Sequence, residues 1–477
     1  MQNNNFSKFS PRTNEKLYDV KITTSEDVND ICLRAKLAFE SWRKKSVNER
    51  KKYLKKIVEI IRDNSEHIIN TIMLDVEKPF CEAETEVIES CDILEYYCSE
   101  EFQGIDSPVE IELNTETWPY KKAYGLYEPS GVYAVIKPWN YPFELIIWSI
   151  VPLLIAGNTI VLKPSELSNA TGILLREITS KAGLPEGVFN IIEGDGTTGN
   201  YLIENKNICG ISFTGSSKVG KKIFEKKKNM SVKLSLEMGG SDFAIVLSDA
   251  IDEIALPGIL WGSFSNAGQV CVGIEKVLIS KNKYEEFIKK LILETKKLVL
   301  KEEIPPIISR KQYLHIRDVV DEAIKHGGKL LCGGFDIKND DIKKGNYMLP
   351  TIIECKDYEY LSSIEEIFAP VIFVAPFENE QHAVKIVNSS CYGLGCSIWT
   401  DRVEKHDFLY RALDVGMIWV NEVNLPMPQV PWIGRKESGV GFNLSKNAVY
   451  DSMNFKSIHI DNDSSKRFWW YPYIQRS

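Results

Sequence analysis

The chain lacks the spacings that would announce a metal or disulfide protein. Its ten cysteines include no CxxC pair, and its six histidines form no cluster with them. Neither a zinc cage nor a disulfide scaffold is indicated, and no metal site is expected. Thiols scattered through a large chain fit a reducing compartment, so a cytoplasmic location is expected. Positive charge is not in excess either. A net charge of -8 argues against a general binder of nucleic acid or anionic membrane. The lysine-rich stretch 221–228 (KKIFEKKK) reads as a solvated helix face. No secretion signal is read in the polar opening MQNNNFSKFSPRTNEK. The most apolar window, Leu145 to Gly157, falls short of the roughly 20 residues that span a bilayer. Pro152 interrupts it, and it reads as a buried helix. No internal repeat or low-complexity segment stands out.

What is present is an ordinary globular composition, 44% hydrophobic and 26% charged. At 477 residues the chain is too long for one core, so two or three domains are expected. The first hundred residues read as helices. Thr24 with Asp27 makes a capping start, and Val28, Ile31, Ala35, Phe39 and Trp42 recur at helical spacing. A second helix follows through Tyr53, Leu54, Ile57, Ile60 and Ile61. From about residue 124 the texture changes. GVYAVIKP (131–138), NTIVLKP (158–164), VFNIIEG (188–194) and ICGISFTG (208–215) read as strands with helix-length segments between them. That alternation predicts an α/β protein with a parallel sheet of βαβ units. A second alternation runs from Val232 to about Asn421. The tail carries Phe468, Trp469, Trp470, Tyr471 and Tyr473, aromatics that would be a hazard if bare, so docking on a neighbouring subunit or domain is expected.

One cysteine has distinctive surroundings. Cys271 lies in SNAGQVCVG (265–273), where small residues let the backbone approach a substrate. No histidine stands near it in sequence, so a carboxylate is the expected helper. Glu237 in LEMGGSD (236–242) ends an apolar strand just before Gly239 and Gly240. Desolvation there raises a carboxyl towards neutrality, as a general base requires. Asn140 in PWNYP (138–142) sits between two prolines, and a fixed amide NH2 is what an oxyanion needs. VLKPSE (161–166) puts Lys163 and Glu166 at a strand's carboxyl end, where α/β sheets bind ligands. Two glycine loops compete as phosphate sites. GDGTTG (194–199) matches G-x-G-x-x-G but lacks the acidic residue expected about twenty positions on. FTGSSKVG (213–220) follows a strand and opens a helix, so its N–H groups and Ser216 suit a pyrophosphate.

PWNYP, KPSE, FTGS, LEMGG, GQVC and EEIFAPV (365–371) stand in this order, and together they resemble the aldehyde dehydrogenase superfamily over residues 20 to 460. The spacing from Glu237 to Cys271 is similar to the family's. The resemblance implies a Rossmann-type cofactor domain (1–106 and 128–238), an α/β catalytic domain (239–444) and a small β oligomerisation element (107–127 and 445–477). It implies a homodimer or homotetramer. By motif, Cys271 is the nucleophile, Glu237 the base, and Asn140 with the Cys271 N–H the oxyanion hole. Lys163 and Glu166 are placed at the adenosine ribose, Gly215 and Ser216 at the pyrophosphate, and Glu366, Phe368 and Trp139 at the nicotinamide end. The implied cofactor is NAD, with NADP as the alternative and Glu166 favouring NAD. The implied reaction is oxidation of a small-molecule aldehyde to the carboxylic acid, through a cysteine thiohemiacetal and a thioester. A coenzyme-A-acylating relative would lack Glu237, and a non-catalytic structural relative would not keep Cys271, Glu237 and Asn140 together.

The substrate is left open between a medium-sized or aromatic aldehyde and succinate semialdehyde. The implied tunnel residues Leu145, Trp148, Ser265, Pro426 and Trp432 are a mixed apolar set with no clear carboxylate-binding arginine. The chain also departs from the family pattern. GGSD replaces GGK, a variant seen in semialdehyde-oxidising members. Segment 298–309 looks shortened, Lys276 replaces an arginine, and Ala369 replaces a glycine. None of these is expected to touch the chemistry directly.

Overall fold

The computed structural model describes residues 5–227, 232–467 and 469–471. Helix Ser25–Trp42 starts where the sequence places it, with the Thr24 side chain accepting from the Asp27 N–H. Val28, Ala35, Phe39 and Trp42 are buried along one face. Helix Val47–Asp63 opens on a reciprocal Ser46–Glu49 capping box and buries Leu54, Ile57 and Ile61. The apolar window forms helix Glu144–Ala156, buried along its whole length. A helix apolar all round belongs in a core. It packs against helices Val47–Asp63 and Phe80–Cys98. Among the described residues, no helix is long and apolar enough to cross a membrane.

The expectation that the first hundred residues are all helical needs correction. Asn5–Phe9 and Lys16–Lys21 form an antiparallel hairpin. Its strands are polar, so no apolar alternation reveals them. Buried polar contacts seat them instead. Lys8 is buried, and the Tyr18 hydroxyl donates to Asp75, which also accepts from the Thr171 N–H at 2.7 Å.

Two sheets carry the α/β class read from the sequence. The six-stranded sheet runs in the order Gly439–Val440, Lys233–Glu237, Ile208–Thr214, Val132–Ile136, Thr159–Lys163, Phe189–Ile191. All its pairs are parallel except the first. The chain winds one way from Val132–Ile136 and the other way after Ile208–Thr214, so the topological switch lies between these two strands. Ligands bind outside the carboxyl ends at such a switch. The seven-stranded sheet, from Lys329–Gly334 to Met417–Val420, is parallel apart from its antiparallel edge strand Lys329–Gly334. A third, antiparallel sheet joins Val109–Ile111, Lys121–Pro129 and Met453–Asp461. It leaves Val109, Ile111, Phe455 and Ile460 exposed. Of the lysine-rich stretch, Lys221 and Lys226 stand on the exposed side of helix Ser217–Lys227, paired with Glu437 and Glu204. Residue 228 lies outside the described residues, as do Phe468 and Tyr473 of the tail, while Trp469, Trp470 and Tyr471 are exposed.

Candidate active site

The two large sheets meet the site by opposite edges. Carboxyl ends of the six-stranded sheet deliver Asn140, Ser216 and Glu237, while loops entering the amino ends of the seven-stranded sheet deliver Cys271, Glu366 and Phe368. Trp139, Asn140, Gly215, Ser216, Glu237, Cys271, Glu366 and Phe368 line one cavity. Lys163 and Glu166 stand apart from it at the end of the next strand. There Lys163 Nζ lies 3.1 Å from Glu166 Oε2 and also donates to the Pro164 carbonyl. The competing loop GDGTTG is the start of helix Gly196–Glu204 and lines neither cavity described here.

Cys271 sits after a tight left-handed run. Asn266, Ala267 and Gly268 have φ of 47°, 55° and 67°. Gly268 is required there, because a Cβ would lie 2.2 Å from the Ala369 carbonyl oxygen. Side-chain amides tie the run together. Asn140 Nδ2 donates to the Gln269 carbonyl at 3.1 Å, and Asn266 Nδ2 donates to the Asn140 carbonyl at 3.1 Å. An amide NH2 has two protons, so Asn140 keeps one to offer. Gln269 also reaches the segment read as shortened, since its Oε1 accepts from the Ile308 N–H at 2.9 Å. That segment supports the catalytic turn and is not merely surface.

Glu237 is buried, and neither carboxylate oxygen has a hydrogen-bond partner. Burial pushes its carboxyl up to about 7, against the lowering influence of the Cys271 thiol, the Lys137 ammonium and the Trp432 indole. Cys271 is held well above the ordinary thiol range, first by burial and then by the negative charge of Glu237. Two acids this close do not both ionise, so the pair favours one proton between them. Sequence reasoning missed Lys137, the residue before PWNYP. It is buried and donates to Thr214 Oγ1 at 2.8 Å.

Cys271 also borders a second cavity, of about 260 Å³. All five tunnel residues expected from the resemblance line it, but it is not simply apolar. Glu82, Glu86, Glu89 and Glu144 face it together with Tyr141, Trp148, Trp261 and Trp432, and its described lining contains no lysine or arginine. The signal was in the sequence. Glu82, Glu86 and Glu89 recur at steps of four and three on helix Phe80–Cys98, which puts them on one face. Three of the carboxylates already have partners. Glu86 pairs with buried Lys78 at 2.7 Å and accepts from the Phe143 and Glu144 N–H groups, while Glu82 accepts from the Asn266 N–H. Glu144 accepts from the Trp148 indole at 2.8 Å. Burial and the neighbouring Glu89 raise Glu144, and burial raises Glu89.

The first cavity suits a dinucleotide. Helix Ser217–Lys227 opens beside Gly215 and Ser216, and Ser217 and Lys218 line the same wall. Backbone N–H groups and an ammonium are the donors phosphates need. Trp139 and Phe368 stand edge to face with centroids 5.6 Å apart. Glu366 packs over Gly239, where a Cβ would lie 2.3 Å from Glu366 Oε2, and it accepts from the Gly240 N–H at 3.2 Å.

Behind this wall two of the departures from the family pattern, Ser241 and Lys276, meet without touching the reacting groups. Buried Glu275 accepts from the Ile367 and Phe368 N–H groups at 2.7 and 2.9 Å and from the Ser241 hydroxyl at 2.6 Å. Lys276 donates to Ser241 at 2.5 Å and to the Ile364 carbonyl at 3.1 Å. Phe368 is thereby held at φ 56°, a strained value for an aromatic residue.

The sequence profile of the aldehyde dehydrogenase family matches residues 1–458. The chloroplastic betaine aldehyde dehydrogenase of Atriplex hortensis is 32% identical, over 97% of this chain and 94% of its own length. This chain belongs to the aldehyde dehydrogenase family. A peroxisomal aminoaldehyde dehydrogenase of Pisum sativum is 31% identical, over 98% of this chain and 95% of its own. A crystal structure of Staphylococcus aureus betaine aldehyde dehydrogenase in complex with NAD+ superimposes with a TM-score of 0.93 at 30% identity, covering 98% of this chain and 94% of that one. The protein is thus an NAD(P)-dependent oxidoreductase acting on an aldehyde group, as the ordered motifs implied.

Proposed function

We propose that this aldehyde dehydrogenase oxidises a small aldehyde carrying a positive charge, such as an aminoaldehyde or a quaternary ammonium aldehyde. The observation that carries this reading is the cavity ending at Cys271, walled by four carboxylates and four aromatic rings and without a lining cation. Indole faces attract an ammonium, and carboxylates with lone pairs to spare attract it further, whereas the Tyr141 ring already carries Lys78 Nζ at 3.5 Å. Glu89 and Glu144 are the carboxylates with capacity left. The names of the relatives point the same way, since betaine aldehyde and aminoaldehyde dehydrogenases are among them. Succinate semialdehyde, an anion, meets the wrong charge in this tunnel.

In this reading the Cys271 thiol loses its proton to solvent and the thiolate attacks the aldehyde carbon, which leaves the Glu237 carboxylate free for the later water step. The free N–H of Asn140 and the Cys271 backbone N–H hold the resulting oxyanion. A bound nicotinamide supplies the hydride acceptor whose reduction leaves a thioester on Cys271. Glu237 then takes a proton from water, hydroxide attacks the thioester carbon, and the acid leaves as the thiol reforms. The presence of Glu237 supports hydrolysis over transfer to coenzyme A. Gly215, Ser216 and Lys218 would hold the pyrophosphate, and Lys163 and Glu166 the adenosine ribose, with the Glu166 carboxylate favouring NAD. Trp139, Glu366 and Phe368 would hold the nicotinamide riboside.

The sheet of 109–111, 121–129 and 453–461 serves as an oligomerisation element in this reading, supported by exposed Phe455, Ile460, Trp469 and Trp470. The same reading keeps 1–106 with 128–238 as cofactor domain and 239–444 as catalytic domain, in a cytoplasmic homodimer or homotetramer.

A panel read by NADH absorbance tests the substrate class. Betaine aldehyde, its neutral tert-butyl isostere and succinate semialdehyde differ chiefly in charge. The cationic aldehyde is expected to show the highest kcat/KM, by about tenfold or more, since a desolvated cation–π contact and a charged hydrogen bond each contribute roughly 2 kcal/mol. Equal or better use of the neutral isostere or the anion overturns the reading.

A further inference from the structure

Lys137 is an odd residue to bury. Strands Val132–Ile136, Ile208–Thr214 and Lys233–Glu237 are adjacent and parallel, with Ile136 opposite Phe213 and Thr214 opposite Glu237. Residues in register across a sheet point to one face, so Lys137, Thr214 and Glu237 form a row at three successive strand ends. The Lys137 ammonium donates to the Thr214 hydroxyl in the middle of that row, and among the described residues no carboxylate is paired with it at ion-pair distance. A buried charge held only by a hydroxyl is costly, and a strand end of this kind needs no charge for its packing.

The groups around Glu237 show what the charge is for. Cys271 faces it from the turn before the seven-stranded sheet, and Trp432 presents an indole N–H without a partner. Asp242 and Glu366 feel its charge from the loops behind. Of these neighbours Lys137 alone is a cation. Burial presses Glu237 towards its protonated form, in which it removes no proton from water.

We propose that Lys137 is a positioning residue for the base: a buried ammonium, seated on Thr214, that keeps Glu237 ionised during thioester hydrolysis. The inference rests on Glu237 being the base, as proposed above. In the balance of the step, water gives a proton to the Glu237 carboxylate and hydroxide adds to the thioester carbon. Burial draws the Lys137 ammonium down to about 7 while the Glu237 charge holds it up, so each favours the ionised form of the other; Lys137 gives up no proton in the step and acts through its charge.

p-Nitrophenyl acetate tests this without any cofactor, because it acylates a thiol directly. The burst of nitrophenolate reports acylation of Cys271, and the steady rate that follows reports thioester hydrolysis. In Lys137→Met the acid limb of the steady rate is expected to move up by about one pH unit, a roughly tenfold slower hydrolysis at its low-pH end, while the burst persists. Lys137→Arg should keep the limb near its original position. Thr214→Val, which leaves the lysine but removes its seat, should shift the limb the same way by less, and it carries the test if Lys137→Met does not fold. Steady-rate profiles unmoved in both Lys137→Met and Thr214→Val overturn the proposal, even if both enzymes are slower. Glu237→Gln separates the two ideas. If that variant hydrolyses the thioester normally, Glu237 is not the base. If it stalls while Lys137→Met keeps its profile, only the role of Lys137 falls.

Discussion

Glu275→Gln is the substitution whose consequence the structure specifies most closely. One Glu275 oxygen accepts from both the Ile367 and Phe368 N–H groups, and the other accepts from Ser241, which itself accepts from Lys276. Glutamine is nearly isosteric and keeps one carbonyl oxygen for the backbone pair. It loses the charge, so two charge-assisted bonds become ordinary ones. Its NH2 then faces a Ser241 hydroxyl whose oxygen is already engaged by Lys276. Bonds to charged groups contribute about 1.5–3 kcal/mol against about 1 for neutral ones. Buried Lys276 also loses its nearest counter-charge, a change that costs about 3–5 kcal/mol when nothing replaces it. Asp242 also acts on Lys276 and moderates that loss. A net cost of about 3 kcal/mol, local to the turn that holds Phe368 at positive φ, is the expected result. Amide hydrogen exchange reads it where it occurs, with Ile367 and Phe368 exchanging on the order of a hundredfold faster. KM for NAD should rise as Glu366 and Phe368 lose their support. Unchanged exchange at these two amides, with unchanged KM for NAD, would show that Glu275 does not hold the turn.

Four further outcomes follow from the same geometry. Cys271→Ala should abolish NADH formation while thermal shift still shows cofactor binding, and iodoacetamide should label Cys271 before the other thiols unless aldehyde is present; retained turnover removes it as nucleophile. Glu237→Gln should lose about two to four orders of magnitude in steady turnover yet keep a near-stoichiometric NADH burst. In the parent enzyme, hydrolysis needs the Glu237 carboxylate, so its rate should fall as pH drops through about 7, which a stopped-flow pH series checks. Glu166→Ala should move cofactor choice towards NADP, because a carboxylate at the ribose repels a 2′-phosphate; a parent enzyme already preferring NADP in steady-state kinetics would show that Lys163 governs that pocket.

The motifs were legible because each joins a strand end to chemistry. PWNYP, FTGS and LEMGG follow strands, so reading the strand fixed where Asn140, Ser216 and Glu237 emerge. What stayed hidden depends on contacts between distant segments. The hairpin of residues 5–21 rests on Lys8 and Tyr18 over Asp75, and polar strands seated by buried polar groups have no apolar period to detect. The carboxylate wall was half visible, since Glu82, Glu86 and Glu89 share a helix face, but a charged helix face ordinarily meets solvent. Only the fold turns this one towards Cys271. Ser241, Glu275 and Lys276 looked like isolated departures in sequence. In space they form one network, because two neighbouring strands of the seven-stranded sheet begin beside one another.

That last point explains why one sheet edge cannot make this site alone. Carboxyl ends of parallel strands lead into helix N-termini, which favour anions, and there the six-stranded sheet places Ser216 and the helix beginning at Ser217. The amino ends of the seven-stranded sheet meet the site differently. They present tight turns instead, with Asn266, Ala267 and Phe368 all at positive φ. Such turns expose backbone N–H groups and hold side chains in fixed directions, as a nucleophile and its oxyanion donor require. An anionic cofactor and a covalent thiol therefore make opposite demands on backbone geometry. Facing a carboxyl edge with an amino edge satisfies both, and Glu237, the last residue of its strand, stands where it reaches Cys271 across the gap.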